Sequence, residues 1–241
     1  MSPPEGERTD GEEQTTETAA EEGATTSDTV STGAESVVAA LEQAGAETLF
    51  GVQGGAIMPV YDALYDSEKL THVTMAHEQG ASHAADAYGI VSGDPGVCLA
   101  TSGPGATNLV TGLADASMDS DPVIALTGQV PTNFVGNDAF QETDTVGVTQ
   151  PVTKHSYFAA DSDTVGTEVG EAFALADEGR QGPTLVDLPK DVTQGETDAF
   201  PDEPETPDTY NPQTTADEEA VDAAAGALAA AERPVILAGG G

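Results

Sequence analysis

Glu78 is the residue whose surroundings best suit acid–base chemistry. It lies in His77-Glu78-Gln79-Gly80-Ala81 and opens a helix whose expected inner stripe is Ala81, Ala84, Ala85 and Tyr88. Side chains mostly that small let a second backbone or a planar ligand come close, and a carboxyl group walled in by them is desolvated and able to share a proton. The plainer account is a first-turn acid that favours the positive end of its helix. Two further segments have tight-loop composition, Thr101-Ser102-Gly103-Pro104-Gly105-Ala106-Thr107-Asn108 and Gly128-Gln129-Val130-Pro131.

Other residues are weaker candidates. Ser102-Gly103-Pro104-Gly105 could offer backbone N–H groups to an anion, but it lacks the lysine of the Walker form and the third glycine of the dinucleotide form. A tight turn with Pro104 pre-setting the first helical residue explains its glycines better. Ser102 is not in a Gly-x-Ser-x-Gly setting, so it is no nucleophile candidate. His72, His77, His83 and His155 show no zinc spacing, and no metal site is expected. Cys98, the single cysteine, sits between Val97 and Leu99 and reads as a buried small apolar residue. Lys154, Arg180 and Lys190 fall near the ends of expected elements, where each could meet an anionic ligand or pair with an acid.

Composition sets the medium. The 43 acidic residues against 6 basic ones give a formal charge of -37, and such a chain repels itself unless ions screen it. Screening lengths shrink to about 3 Å near 1 M salt, so a halophilic cytoplasm is expected. Nucleic acid and anionic membrane surfaces are excluded as partners by the same charge. No stretch approaches the roughly 18 apolar residues of a membrane span, and the N-terminus lacks the apolar run of a secretory signal; the chain is read as soluble and cytoplasmic.

The elements that must position Glu78 follow from periodicity. Residues 1–30 have almost nothing to bury and read as a disordered acidic tail. Thr32-Gly33-Ala34-Glu35 is a capping box opening a helix that Gly45 can end. Short apolar strands are expected over 48–52, 72–75, 97–100, 123–126 and 184–188, with helices over 58–65, 78–91, 106–118 and 164–176. This alternation argues for an α/β domain over 31–192, a parallel sheet with helices on both faces whose ligands bind beyond the carboxyl ends of the strands. Residues 193–215 have linker composition. Residues 216–241 then read as the start of a second α/β domain, with a helix opened by Thr215-Ala216-Asp217-Glu218 and a strand over 234–238. A helix and one strand cannot close a core, so the front of a longer polypeptide is expected.

Several segments together resemble the large catalytic subunit of acetolactate synthase, in its pyrimidine-binding, thiamine-diphosphate domain. They are residues 50–64, the His77-Glu78-Gln79-Gly80-Ala81 segment, residues 101–111, Gly128-Gln129-Val130-Pro131, Gly136-Asn137-Asp138-Ala139-Phe140-Gln141-Glu142, Thr153-Lys154-His155 and residues 182–191. The resemblance implies that Glu78 bonds the pyrimidine of thiamine diphosphate and promotes removal of its thiazolium proton. It also implies that Asn108 neighbours the pyrimidine, and that Gly55, Phe140, Gln141 and Lys190 line the substrate approach with Gln141 near the cofactor. Ser120 and Arg180 correspond to contacts of a non-redox FAD. The implied reaction is decarboxylation of pyruvate and carboligation to pyruvate or 2-ketobutyrate. Magnesium ligands of the Gly-Asp-Gly…Asn type are absent from these residues and belong to another domain. A homodimer or higher oligomer and a small regulatory subunit are the implied partners. Alternatives are another thiamine-dependent 2-keto acid lyase or oxidase, and a non-catalytic binding or dimerisation module.

Overall fold

The structure, a computed structural model, describes residues 31–201 and 203–237. Its elements in chain order are β1 (Ser31–Thr32), α1 (Gly33–Gln43), β2 (Thr48–Gly51), α2 (Met58–Tyr65), β3 (Thr71–Thr74), α3 (Glu78–Ser92) and β4 (Gly96–Ala100). There follow α4 (Pro104–Asn108), α5 (Val110–Asp119), β5 (Val123–Gln129), α6 (Thr145–Thr149), β6 (His155–Phe158) and α7 (Val165–Asp177). The last are β7 (Thr184–Pro189), α8 (Lys190–Gln194), β8 (Glu196–Thr197) and α9 (Glu218–Ala230).

Six strands form one sheet in the order β3-β2-β4-β5-β7-β6, and every pairing is parallel. β1 and β8 make a separate antiparallel pair. The central strands are buried on both faces, and alternate side chains divide between two cores. Val97 and Leu99 of β4, with Ile124 and Leu126 of β5, join Val37 and Leu41 of α1 and Val169 and Phe173 of α7. Cys98, Ala100, Val123 and Ala125 face the other way, against Ala81 and Ala85 of α3 and Leu113 of α5. That period of two is the pleat of a strand. The second core is built of small side chains, so α3 comes within backbone contact of the sheet: a side chain on Gly96 would strike the Ala85 backbone. Cys98 is fully buried, as its neighbours suggested, and burial pushes its thiol up to about 12.

The expected parallel α/β sheet is present, with corrections. The helix over 106–118 is two helices, because the Leu109 N–H turns to the Ala106 carbonyl, 3.1 Å away, and tightens the chain between α4 and α5. β6 was not expected, since Thr153-Lys154-His155-Ser156-Tyr157-Phe158 has no apolar run; it is an edge strand with one neighbour. The inner face of α3 is Ala81, Ser82, Ala85, Asp86 and Gly89, with Ala84 and Tyr88 only half-buried. α9 is capped by Asp217, whose carboxylate accepts from the Ala220 N–H, so Thr215 is not its cap. Residues 234–237 form no strand: Val235, Ile236 and Leu237 are exposed with no neighbouring strand among the described residues. The tail over 1–30 and the end of that expected strand at Ala238 lie outside the described residues.

Candidate functional site

In a parallel sheet the loops leaving the strand ends converge on one edge. Here that edge gathers Gln53-Gly54-Gly55 after β2, His77 and Glu78 after β3, the Thr101 to Gly105 loop after β4, Val130 and Pro131 after β5, and Lys190 after β7. His77 caps α3 through its ring, Nδ1 accepting from the Gln79 N–H at 3.1 Å. This cap delivers Glu78 to the first turn, where the carboxylate meets the positive end of α3.

Glu78 is half-buried, and Oε2 accepts a hydrogen bond from Asn108 Nδ2 at 3.0 Å. Asn108 closes α4, so the break before α5 fixes the residue that holds the carboxylate. The other oxygen faces a glycine. A Cβ on Gly105 would stand 3.5 Å from Glu78 Oε1 and 2.8 Å from Thr101 Cγ2. Glycine there leaves Oε1 uncovered and lets the loop close onto Thr101.

Thr101 ties the loops together. Its hydroxyl accepts from the Ala56 N–H at 3.2 Å, and a side chain on Gly54 would collide with it. Gly55 beside it has open space where a side chain would go. Gly103 has φ +61, and a Cβ there would come within 2.6 Å of the Gln141 carbonyl. Gln141 is thereby packed against the β4 loop. It and Asp138 are non-glycine residues with positive φ, 59° and 54°, conformations that cost energy and need support from their surroundings. Glu142 gives it, its carboxylate accepting from the Ala139 N–H at 2.8 Å and from the Gly136 N–H. Those N–H groups hold the Glu142 carboxyl below the usual carboxylate range. Phe140, at the crest of this loop, is 88 % exposed. Lys190 is half-buried and makes no ion pair among the described residues. Its neighbour Asp191 accepts from the Thr132 N–H and hydroxyl at 2.9 and 2.5 Å, locking the end of β7 to the loop after β5.

The structure thus brings Glu78 and Asn108 into contact, with Gly55, Gln141 and Lys190 on the same edge. Ser120 and Arg180 are elsewhere. Arg180 Nε donates to Ser120 Oγ at 2.9 Å and Nη2 to the Ser117 carbonyl at 3.3 Å, in loops that enter β5 and β7 at the opposite edge. Lys154 makes no ion pair among the described residues: its ammonium donates to the carbonyls of Leu175 and Glu178 and lies 5.2 Å from the Tyr210 ring centre.

Two groups escaped sequence reasoning. Asp187 on β7 is buried, accepting from Thr127 Oγ1 at 2.7 Å and Gln129 Nε2 at 2.9 Å. Burial pushes its carboxyl up to about 7 against the lowering by these donors. It borders a cavity of about 390 Å³ with Val135, Thr145 and Phe158. Only the contrast of an acid inside an apolar strand hinted at it. The second group joins His83, Asp86 and Asp115, whose ligand-bearing atoms lie within 4.8 Å of one another; a search for Cys and His spacing cannot find a set that draws carboxylates from two helices.

Residues 31–148 match the family model described as thiamine pyrophosphate enzyme, N-terminal TPP binding domain. The chain is 53% identical over 211 residues to an acetolactate synthase of Mycobacterium bovis, covering 87% of this chain and 34% of that protein. It is 51% identical over 213 residues to a probable acetolactate synthase large subunit of Methanocaldococcus jannaschii, 87% of this chain and 36% of that protein. An acetolactate synthase large subunit of Corynebacterium glutamicum is 49% identical over 211 residues, again 87% and 34%. The chain therefore spans about a third of the length of the curated relatives it matches. By sequence, residues 31–148, which carry Glu78 and Asn108, match the N-terminal TPP binding domain of the thiamine pyrophosphate enzymes, and their parallel sheet is consistent with it.

Proposed function

We propose that this chain supplies the pyrimidine-binding wall of an acetolactate synthase large subunit. The single observation that carries the reading is the Glu78 carboxylate at the strand ends, held on one oxygen by Asn108 and left uncovered on the other by Gly105. That geometry fits thiamine diphosphate, because a flat ring can approach an edge walled by glycine and meet an oriented carboxyl oxygen. Bound there, the cofactor supplies the nucleophilic carbon for decarboxylating a 2-keto acid.

The chain's own residues position and shuttle. Glu78 Oε1 would share a proton with the ring nitrogen, and Asn108 keeps the carboxylate from rotating away. The open space beside Gly55 would admit the ring edge. Gln141 and Phe140 border the approach of the 2-keto acid, and Lys190 offers its ammonium to the acid's carboxylate. The reaction joins a pyruvate-derived two-carbon unit to pyruvate, giving 2-acetolactate, or to 2-ketobutyrate, giving 2-aceto-2-hydroxybutyrate, both precursors of the branched-chain amino acids isoleucine, valine and leucine.

Magnesium, as the partner of the diphosphate, is assigned to ligands outside this edge, in the domain of another subunit of a homodimer or larger oligomer. The exposed Ser120–Arg180 corner, with its guanidinium, suits the diphosphate of FAD, and a small regulatory subunit completes the assembly. The division into a pyrimidine-binding domain over 31–192, a linker over 193–215 and a further domain from 216 belongs to the same reading. The charge of -37 supports a halophilic cytoplasm. Incubating the full-length enzyme with pyruvate, thiamine diphosphate and magnesium, then acidifying, tests the activity: acetoin is expected, whereas acetaldehyde or acetyl phosphate as sole product sinks it.

A further inference from the structure

A second cluster of ionisable groups lies one to two turns beyond Glu78 along α3. His83 and Asp86, three residues apart, share a helix face. Asp115 comes from α5, and glycine brings the two helices together: a Cβ on Gly112 would lie 2.6 Å from Ser82 Cβ. Asp115, one turn past Gly112, is thereby laid beside His83, with Nδ1 to Oδ2 at 3.6 Å. A second close approach, where a Cβ on Gly89 would lie 2.6 Å from the Pro122 carbonyl oxygen, packs the end of α3 against the loop that carries Asp121.

Asp86 differs from an ordinary surface acid. It is 8% exposed, its Oδ1 has no hydrogen-bond donor among the described residues, and the Asp121 carboxyl beside it adds a like charge. A buried carboxylate oxygen without a donor is costly unless a cation serves it or the carboxyl takes up a proton. One ligand atom each from His83, Asp86 and Asp115 lies within 4.8 Å of the others. Two ligands bound at about 2.1 Å to one tetrahedral ion stand roughly 3.4 Å apart, close to the separation of His83 and Asp115.

We propose that His83, Asp86 and Asp115 bind one divalent transition-metal ion of the zinc class, which clamps α3 to α5. One imidazole with two carboxylates suits such an ion better than magnesium, whose preference is for oxygen ligands alone. Water completes the coordination on the exposed side of His83 and Asp115.

The test is calorimetric titration of the full chain, stripped with EDTA and exchanged into a non-chelating buffer at fixed potassium chloride, with zinc chloride and separately with magnesium chloride. One equivalent of zinc is expected to bind at least ~10-fold more tightly than magnesium, and His83→Ala or Asp115→Asn to weaken zinc by ~10-fold or more. His155→Ala, on the edge strand, should leave zinc affinity unchanged. Unchanged zinc binding in a folded His83→Ala protein overturns the site, as does equal affinity for the two ions. NMR of the unaltered chain gives a second readout that needs no variant: His83 ring resonances should shift at one equivalent of zinc, and their staying fixed also overturns it.

Discussion

Asn108 Nδ2 donates to Glu78 Oε2 across 3.0 Å, joining the last residue of α4 to the first of α3. An amide donor in this place fixes one carboxylate oxygen as acceptor and leaves the other as the only one free to exchange a proton. Glu78→Gln keeps the size but removes the exchangeable proton, so turnover of the full-length enzyme should fall by roughly 10²–10⁴-fold. Steady-state kinetics and C2–H exchange of bound thiamine diphosphate by NMR check it. Full exchange in the variant would rule out the role.

The Gly103 turn makes a backbone prediction. With φ +61 and the Gln141 carbonyl 2.6 Å from where a Cβ would sit, Gly103→Ala strains its own backbone and pushes the loop carrying Gln141. A loss of about 1–3 kcal/mol is expected, measured by denaturant unfolding. In the full-length enzyme KM for the 2-keto acid should rise with it. Wild-type stability and KM in the variant would show that the loop tolerates displacement.

Sequence reading succeeded where structure is local. β2, β4, β5 and β7 are short apolar runs because their strands are covered on both faces, and the Thr32–Glu35 box closes within a single turn, with both reciprocal hydrogen bonds formed. It failed where a neighbour decides. β6 exists because β7 offers it an edge, and nothing in Thr153 to Phe158 announces that edge. On α3 the small-residue stripe was correct at Ala81 and Ala85, but the helix is rotated so that Asp86 is inside and Tyr88 half out. A search for apolar spacing does not place an acid inward. The Glu78–Asn108 contact links residues 30 apart; family resemblance put both near one ring, while spacing alone left Glu78 as a first-turn acid. Ser120 and Arg180 came from the same resemblance, and their mutual hydrogen bond spans 60 residues.

Asp187 gives a pH prediction. Its carboxyl is raised from an ordinary 3.8 to about 7, so between those values the folded chain holds a proton that the unfolded chain has released. Stability from this group is full below about pH 4 and is lost as pH rises through 7. Asp187→Asn cannot titrate. The difference in melting temperature, wild type minus variant, should therefore decline from pH 4 to pH 7 and level off above it, and a carbon-13 carboxyl titration should place Asp187 near 7. A flat difference across that range would show that the hydrogen bonds from Thr127 and Gln129 outweigh burial.

Charge yields the last prediction. Of 43 acidic residues, only Glu42 is paired with a lysine or arginine among the described residues, to Lys69 at 3.0 Å. Surface pairs contribute little even when present, so the remaining repulsion must be met by dissolved ions. Screening shortens from about 10 Å at 0.1 M salt to about 3 Å at 1 M, below the spacing of most surface charges. The melting temperature should accordingly rise steeply between 0.1 and 2 M potassium chloride, with circular dichroism showing a loosened or unfolded chain at the low end. Screening of charge and general salting-out predict different salts to be effective: chloride should do most of the work of sulfate at equal ionic strength if repulsion is the cause, and far less if apolar burial is being reinforced. An identical cooperative melt at both potassium chloride concentrations would remove the halophilic reading while leaving the Glu78 site untouched.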